Sequence, residues 1–292
     1  MNGSETMHLV KAKGILSAHN GINVYRGCTH GCIYCDSRSL CYHTPQPFED
    51  IEAKENAPEL LEAALRSKRR RCMIGTGAMC DPYLHAEREL QLTRRCLDVI
   101  SRNGFGATVL TKSDLVLRDI DLLEQINRDS KAVVQMTLTT ADDDLCRIIE
   151  PNVCPTSRRF EVLCECKKRG IPTVVWFTPL LPFINDTADN VRAIVDYARR
   201  AGCYGVIVFG MGLTLREGNR EYFYAALDRH FPGMKERYMK RFVNNYELPS
   251  PDTIGLLELF RSECAASGLE SDPDRIFAWL NEFPECEQLT LF

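Results

Sequence analysis

Short β-rich runs alternate with helix-length stretches through most of this chain, and that alternation restricts its fold more than any other feature. The runs are residues 22–26, 72–76, 107–111, 132–139, 173–178 and 205–209, each rich in Val, Ile, Met or Thr. Several are nearly continuous in apolar residues, as strands covered on both faces must be. Helices are expected over 56–70, 86–103, 113–127, 157–169, 187–201 and 217–229. Leu60, Leu61 and Leu65 give the first an apolar face, and Leu90, Leu97 and Ile100 line the second. Gly104, Gly170 and Gly202 follow helices where a left-handed cap is needed. Asp114 and Asp186-Thr187 stand where helix starts want a capping oxygen. Such a succession of βα units predicts an α/β chain with a parallel sheet. Periodicity does not separate a barrel from an open doubly wound sheet.

The first unit carries Cys28-Thr29-His30-Gly31-Cys32-Ile33-Tyr34-Cys35. Thiolates at Cys28, Cys32 and Cys35 can bind three irons of a [4Fe-4S] cube and leave the fourth iron without a protein ligand. An open iron points to chemistry at the metal rather than electron transfer alone. A structural zinc is the alternative, with His30 or Cys41 as the fourth tetrahedral ligand. Residues 27–36 offer few apolar anchors, so the loop is expected to be disordered or displaced without metal. Among the other cysteines, Cys96, Cys146 and Cys203 read as small core residues. Cys154, Cys164 and Cys166 do not suggest a second cluster, because Cys164 and Cys166 face different sides of a helix.

The cysteine spacing resembles that of the radical S-adenosylmethionine (SAM) superfamily. Asn23 through Cys35, Gly75 through Asp81, Thr111-Lys112, Met136-Thr137, Glu150-Pro151 and Pro179 through Asp186 resemble the motifs of its spore photoproduct lyase-like branch. The resemblance spans roughly residues 10–215. It implies a partial (β/α)6 TIM-type barrel, with a [4Fe-4S] cluster and SAM at the C-terminal edge of the strands. It also implies reductive cleavage of SAM to a 5'-deoxyadenosyl radical, and an electron donor such as a flavodoxin or ferredoxin. In the lyase, a serine after strand two, a lysine after strand three and a serine at strand four contact SAM. The matching positions here are Cys80, Lys112 and Thr137, while Tyr34 matches a tyrosine beside the third cluster cysteine. Two departures limit the resemblance. Ala78 stands where the lyase has its hydrogen-donating cysteine, and Asp36 where it has a tyrosine. Cys80 either supplies hydrogen from a shifted position or lines the SAM pocket.

Other strand ends add candidates. Gly75 and Gly77 allow a ligand close to the backbone. Glu150 and Arg158 could bind or protonate a ligand, or form an ordinary ion pair at a helix start. The cofactor-binding set is therefore Tyr34, Gly75, Gly77, Cys80, Lys112, Thr137, Glu150 and Arg158, with Cys80 and Tyr34 also the catalytic candidates.

A net charge of −4 argues against a broad polyanion-binding surface. The basic run from Arg66 to Arg71 sits at a helix C-terminus, where cations complement the dipole. A better nucleic-acid candidate is Arg216, Arg220, Lys235, Arg237, Lys240 and Arg241, interleaved with Tyr222, Tyr224, Tyr238 and Phe242. Three functions stay open: an enzyme acting on nucleic acid, one acting on a small metabolite or protein side chain, and a non-catalytic iron-sulfur or electron-transfer protein. No apolar leader fills residues 1–13 and no run reaches membrane-spanning length, so a cytoplasmic protein in a reducing compartment is expected. The expected divisions are a lead-in at 1–15, the core barrel at 16–229 and an extension at 230–292. That extension, with helices at 254–264 and 274–281, is expected to pack on the core or close its open side.

Overall fold

The computed structural model describes residues 7–43 and 46–283; residues 1–6 of the lead-in and 284–292 of the extension lie outside these. Its main sheet pairs β1 (Gly21–Ile22), β2 (Met73–Thr76), β3 (Gly106–Thr111), β4 (Ala132–Thr137), β5 (Thr173–Trp176) and β6 (Gly205–Ile207) in chain order. All five pairings are parallel. Every residue of β4 is buried, as a central strand covered on both faces requires. β1 and β6 do not pair with each other, so the barrel is partial.

Register then decides where the chemistry can lie. Ile22 is opposite Thr76, and Thr76 opposite Val109. Thr111 is opposite Met136, Thr137 opposite Trp176, and Trp176 opposite Ile207. The strand C-termini therefore reach one rim, and the loops that follow emerge there together.

Helices α1 (Ala57–Ser67), α2 (Leu92–Arg102), α3 (Ile120–Asp129), α4 (Thr156–Lys168) and α5 (Ala188–Ala201) cover the sheet. Leu61 and Leu65 of α1, and Val191, Ile194, Val195 and Ala198 of α5, recur at helical spacing on the buried faces. Each of the larger side chains contributes about 1.5–3 kcal/mol by leaving water. Gly104, Gly170 and Gly202 take the expected left-handed cap, with φ of +69°, +69° and +66°. A 3-10 segment, Asp114–Asp119, precedes α3, and its cap is Ser113, whose Oγ accepts from the Leu115 amide at 3.3 Å, rather than Asp114.

The structure corrects three expectations. The first strand is split, because Tyr25–Arg26 leaves the main sheet and pairs antiparallel with Ile51–Lys54 in a small sheet completed by Met7–Val10. The helix expected over 86–103 breaks at Gln91, where φ is 50°. Glu87 causes the break: its buried carboxylate accepts from the Thr93 amide at 3.0 Å and satisfies the start of α2. The third correction concerns the sixth unit. A helix does form at Asn219–His230, but it does not join the outer ring. It lies with Met234–Phe242 between the strands Gly212–Thr214 and Glu247–Pro249, which pair antiparallel. Phe223, Leu227, Tyr238 and Phe242 pack in one cluster with Ile33, Tyr34 and Leu181 at the rim. The ring position is filled by α6 (Thr253–Ala266), whose Leu256, Phe260 and Cys264 join the main core beside α5.

After α6 the chain covers the free edge of β6. Glu270 exchanges backbone hydrogen bonds with Tyr204 and Val206 at 3.1 and 2.9 Å, and Trp279 stacks on Tyr204 at 3.8 Å. Among the described residues no helix is long and apolar enough to cross a membrane.

Candidate metal and cofactor site

The cysteine loop leaves the Tyr25–Arg26 strand through Gly27, where φ is 83° and a Cβ would lie 2.6 Å from the Phe48 carbonyl. Backbone bonds then fix the loop at both ends. Cys28 donates to the Phe48 carbonyl at 2.9 Å, Ile33 to that of Ile149 at 3.0 Å, and Asn152 to that of His30 at 3.2 Å. Ile33 and Tyr34 are buried in the rim cluster. The loop thus has apolar anchors that its sequence did not reveal, because their partners are residues 149–242.

Cys28, Cys32 and Cys35 all face one cavity of about 310 Å³ at the strand ends. Its walls also carry Tyr34, Gly77, Cys80, Lys112 and Thr137. The rim therefore gathers most of the residues singled out in sequence. Gly75, Glu150 and Arg158 are not among its lining residues. Gly75 lies within β2, against the Thr108 hydroxyl. Arg158 turns outward to Asp114 at 3.0 Å and Glu161 at 2.6 Å.

Glu150 sits beneath the cavity with no exposed surface and pairs with the equally buried Arg159 at 2.6 Å. Its carboxylate also accepts from the hydroxyls of Tyr34 and Thr139. Burial pushes the Glu150 pKa up, but the charges of Arg159 and Lys112 and the Tyr34 hydrogen bond outweigh burial and hold it low. Arg159 donates in addition to the carbonyls of Thr137, at 3.0 Å, and Cys154, at 2.9 Å. This buried pair ties the end of β4 to the cysteine loop through Tyr34. Sequence reasoning named Arg158 where the inward residue is Arg159. The phase of α4 carries the signal: Arg159, Val162, Leu163 and Cys166 share its buried face.

Asp81 was part of a motif but not a named site residue. Its carboxylate accepts from the Thr111 hydroxyl at 2.7 Å and the Lys112 amide at 2.8 Å, and faces His30 Nδ1 at 3.5 Å. It thereby joins the loop after β2, the end of β3 and the cysteine loop. Gly77 is fixed by packing: φ is 101°, and a Cβ there would overlap the Leu110 carbonyl. For Lys112, burial alone would lower the pKa, but the neighbouring Cys32 and Glu150 outweigh it and keep the ammonium charged.

The four thiols of the cavity differ. The Cys80 sulfur donates to the Gly27 carbonyl at 2.7 Å. The adjacent Cys80 pulls the Cys28 thiol down to about 6 against the effect of burial. Burial pushes the Cys32 and Cys35 thiols up. Of the two candidates for a fourth zinc ligand, only His30 lines the cavity. His30 is turned to Asp81, and Cys41 lies exposed outside the cavity, its sulfur 3.3 Å from an Arg216 nitrogen. Among the described residues no three such side chains converge on a single metal position, whereas in a cube each sulfur serves a different iron. Three free thiols lining one cavity together with Lys112 and Gly77 fit a cluster that keeps one iron open.

The sequence profile of the radical SAM superfamily matches residues 22–188. This chain belongs to the radical SAM superfamily. As a radical SAM enzyme it is 28% identical over 234 residues to an uncharacterised protein of Mycobacterium tuberculosis, covering 78% of this chain and 68% of that one. An uncharacterised protein of Methanocaldococcus jannaschii is 31% identical over 167 residues, covering 56% and 61%. Among solved structures, spore photoproduct lyase complexed with dinucleoside spore photoproduct superposes with a TM-score of 0.67 at 11% identity, covering 91% of this chain and 81% of the lyase. The radical SAM methyltransferase TsrM of Kitasatospora setae, with cobalamin and a [4Fe-4S] cluster bound, gives 0.51 at 15% identity, covering 84% and 52%. At these identities the two structures share the fold of this radical SAM enzyme.

Proposed function

We propose that Cys28, Cys32 and Cys35 hold a [4Fe-4S] cluster whose open iron binds SAM, and that the enzyme abstracts hydrogen from an organic substrate entering at the rim. The carrying observation is the shared cavity of these thiols with Gly77, Lys112 and Thr137. When bound, cluster and SAM supply reductive cleavage to a 5'-deoxyadenosyl radical. Lys112 is the cation for the SAM carboxylate. Gly77, packed against the Leu110 carbonyl, places its backbone in the cavity wall, and the Thr137 hydroxyl offers a further hydrogen bond. Tyr34 is held against the cavity wall by Glu150 and Arg159, which act as positioning residues. The Cys80 thiol already donates to Gly27, which supports a role in bracing the cysteine loop and lining the SAM pocket. The reductant is a small electron carrier such as a flavodoxin or ferredoxin.

The candidate nucleic-acid surface is largely occupied by internal contacts. Arg220 donates to the carbonyls of Leu215 and Asn245, Lys235 pairs with Asp228, and Arg237 stacks on the Phe183 ring at 3.7 Å. Tyr238 and Phe242 are buried. These contacts favour a small molecule or a protein side chain over a polynucleotide as substrate. Anaerobic reconstitution with iron and sulfide, then reduction with SAM present, tests the reaction class. It should form 5'-deoxyadenosine, and Cys32→Ala should abolish it; undiminished formation in that variant would refute the assignment.

A further inference from the structure

Beside the cysteine cavity lies a second chamber of about 400 Å³, and the two share Thr178, Pro179, Leu213 and Thr214 as walls. A molecule in the second chamber thus reaches the edge of the first. The outer wall comes from the segment after β6 and from Glu247–Pro249. Three properties define what this chamber takes. Phe209 is 61% exposed, yet its ring is fixed. It meets Trp176 edge-on at 5.4 Å and stacks on Phe277 at 6.0 Å, while Trp176 donates to Gln135 at 2.8 Å. A rigid exposed ring in a cavity wall is a platform for another flat group. Glu247 is the one ionisable residue of the wall, and among the described residues it has no ion pair. The nearby Arg216 is engaged instead by the Tyr246 hydroxyl at 2.8 Å and Asp36 at 3.7 Å. Finally, among the described residues no Lys, Arg or His lines the chamber, so none of them compensates a phosphate there.

We propose that this chamber binds the substrate and selects a small organic cation built on an aromatic ring, with Phe209 stacking the ring and Glu247 pairing the charged nitrogen. The inference rests on the radical SAM reading above and names its substrate class. A ring face and a carboxylate both attract a cation, and both disfavour an anion.

The test compares 2-phenylethylamine, 2-phenylethanol and phenylacetate, which share a ring and differ in charge. Each is titrated calorimetrically into reconstituted protein with SAM, without oxygen. The amine should bind about 2- to 5-fold tighter than the alcohol, and the acid most weakly. Glu247→Gln should remove the order. Gly210 lines the chamber and a Cβ there would meet nothing within 4 Å, so Gly210→Leu adds apolar bulk at the chamber wall. That variant should weaken all three ligands by roughly 10-fold or more. Circular dichroism and thermal unfolding of both variants check the fold. The proposal is overturned if no ligand saturates, if the acid matches the amine, or if the order survives Glu247→Gln. A single-stranded oligonucleotide that displaces the amine with higher affinity would overturn it as well. Normal 5'-deoxyadenosine formation with indiscriminate binding would remove this inference alone. Selective binding without 5'-deoxyadenosine would remove the parent reading instead.

Discussion

Arg159→Met tests how far the buried ion pair organises the site. Glu150 and Arg159 have no exposed surface and meet at 2.6 Å, so removing the guanidinium strands a carboxylate that water cannot reach. Breaking one partner of such a pair costs about 3–5 kcal/mol. At roughly 2–4 °C per kcal/mol, Tm should fall by roughly 6–20 °C. The acid limb should move too. Glu150 is held below the ordinary carboxylate range, so its contribution is complete above that range and is lost as pH falls through the depressed value. Without Arg159, burial pushes the carboxyl up and stability is lost at a higher pH. Urea unfolding of the cluster-free protein between acid and neutral pH reads both effects. Glu150→Gln combined with Arg159→Met should be less destabilised than the sum of the single variants, because neither charge is then stranded. A single variant within about 1 kcal/mol of the parent, or strict additivity, would refute the reasoning. Iron uptake on reconstitution should drop in Arg159→Met, since Tyr34 and the cysteine loop lose their brace.

Further outcomes follow from the same contacts. Arg158→Ala removes only solvent-exposed pairs and should shift stability by less than about 1 kcal/mol in the same urea assay. Gly77→Ala forces a Cβ into the Leu110 carbonyl at φ 101° and should cost at least about 1–3 kcal/mol, with SAM binding lost in equilibrium dialysis. Asp81→Asn keeps the size but weakens the bonds from Thr111 and Lys112, so it should lower SAM affinity by roughly 10-fold without comparable loss of stability. Unchanged affinity in that variant would show that the Asp81 junction does not shape the cavity.

The sequence alone determined the sheet and the cysteine loop. Apolar runs at strand length and glycines at left-handed caps depend on neighbours a few residues away, so the last five strands of the main sheet were legible in the sequence, while the first was split. The spacing of Cys28, Cys32 and Cys35 is likewise local. Tertiary structure decided what lies opposite what. Periodicity shows that a helix has an apolar face but not which surface covers it. The helix expected over 217–229 was therefore read as part of the ring, yet Asn219–His230 packs over Ile33 and Tyr34, and α6 takes its place. The same limit explains Arg158 and Arg159. Adjacent in sequence, they differ by 100° around α4, and only the fold puts one against Glu150 and the other in water. A site is made by convergence of distant segments, and burial then fixes which charges it can hold.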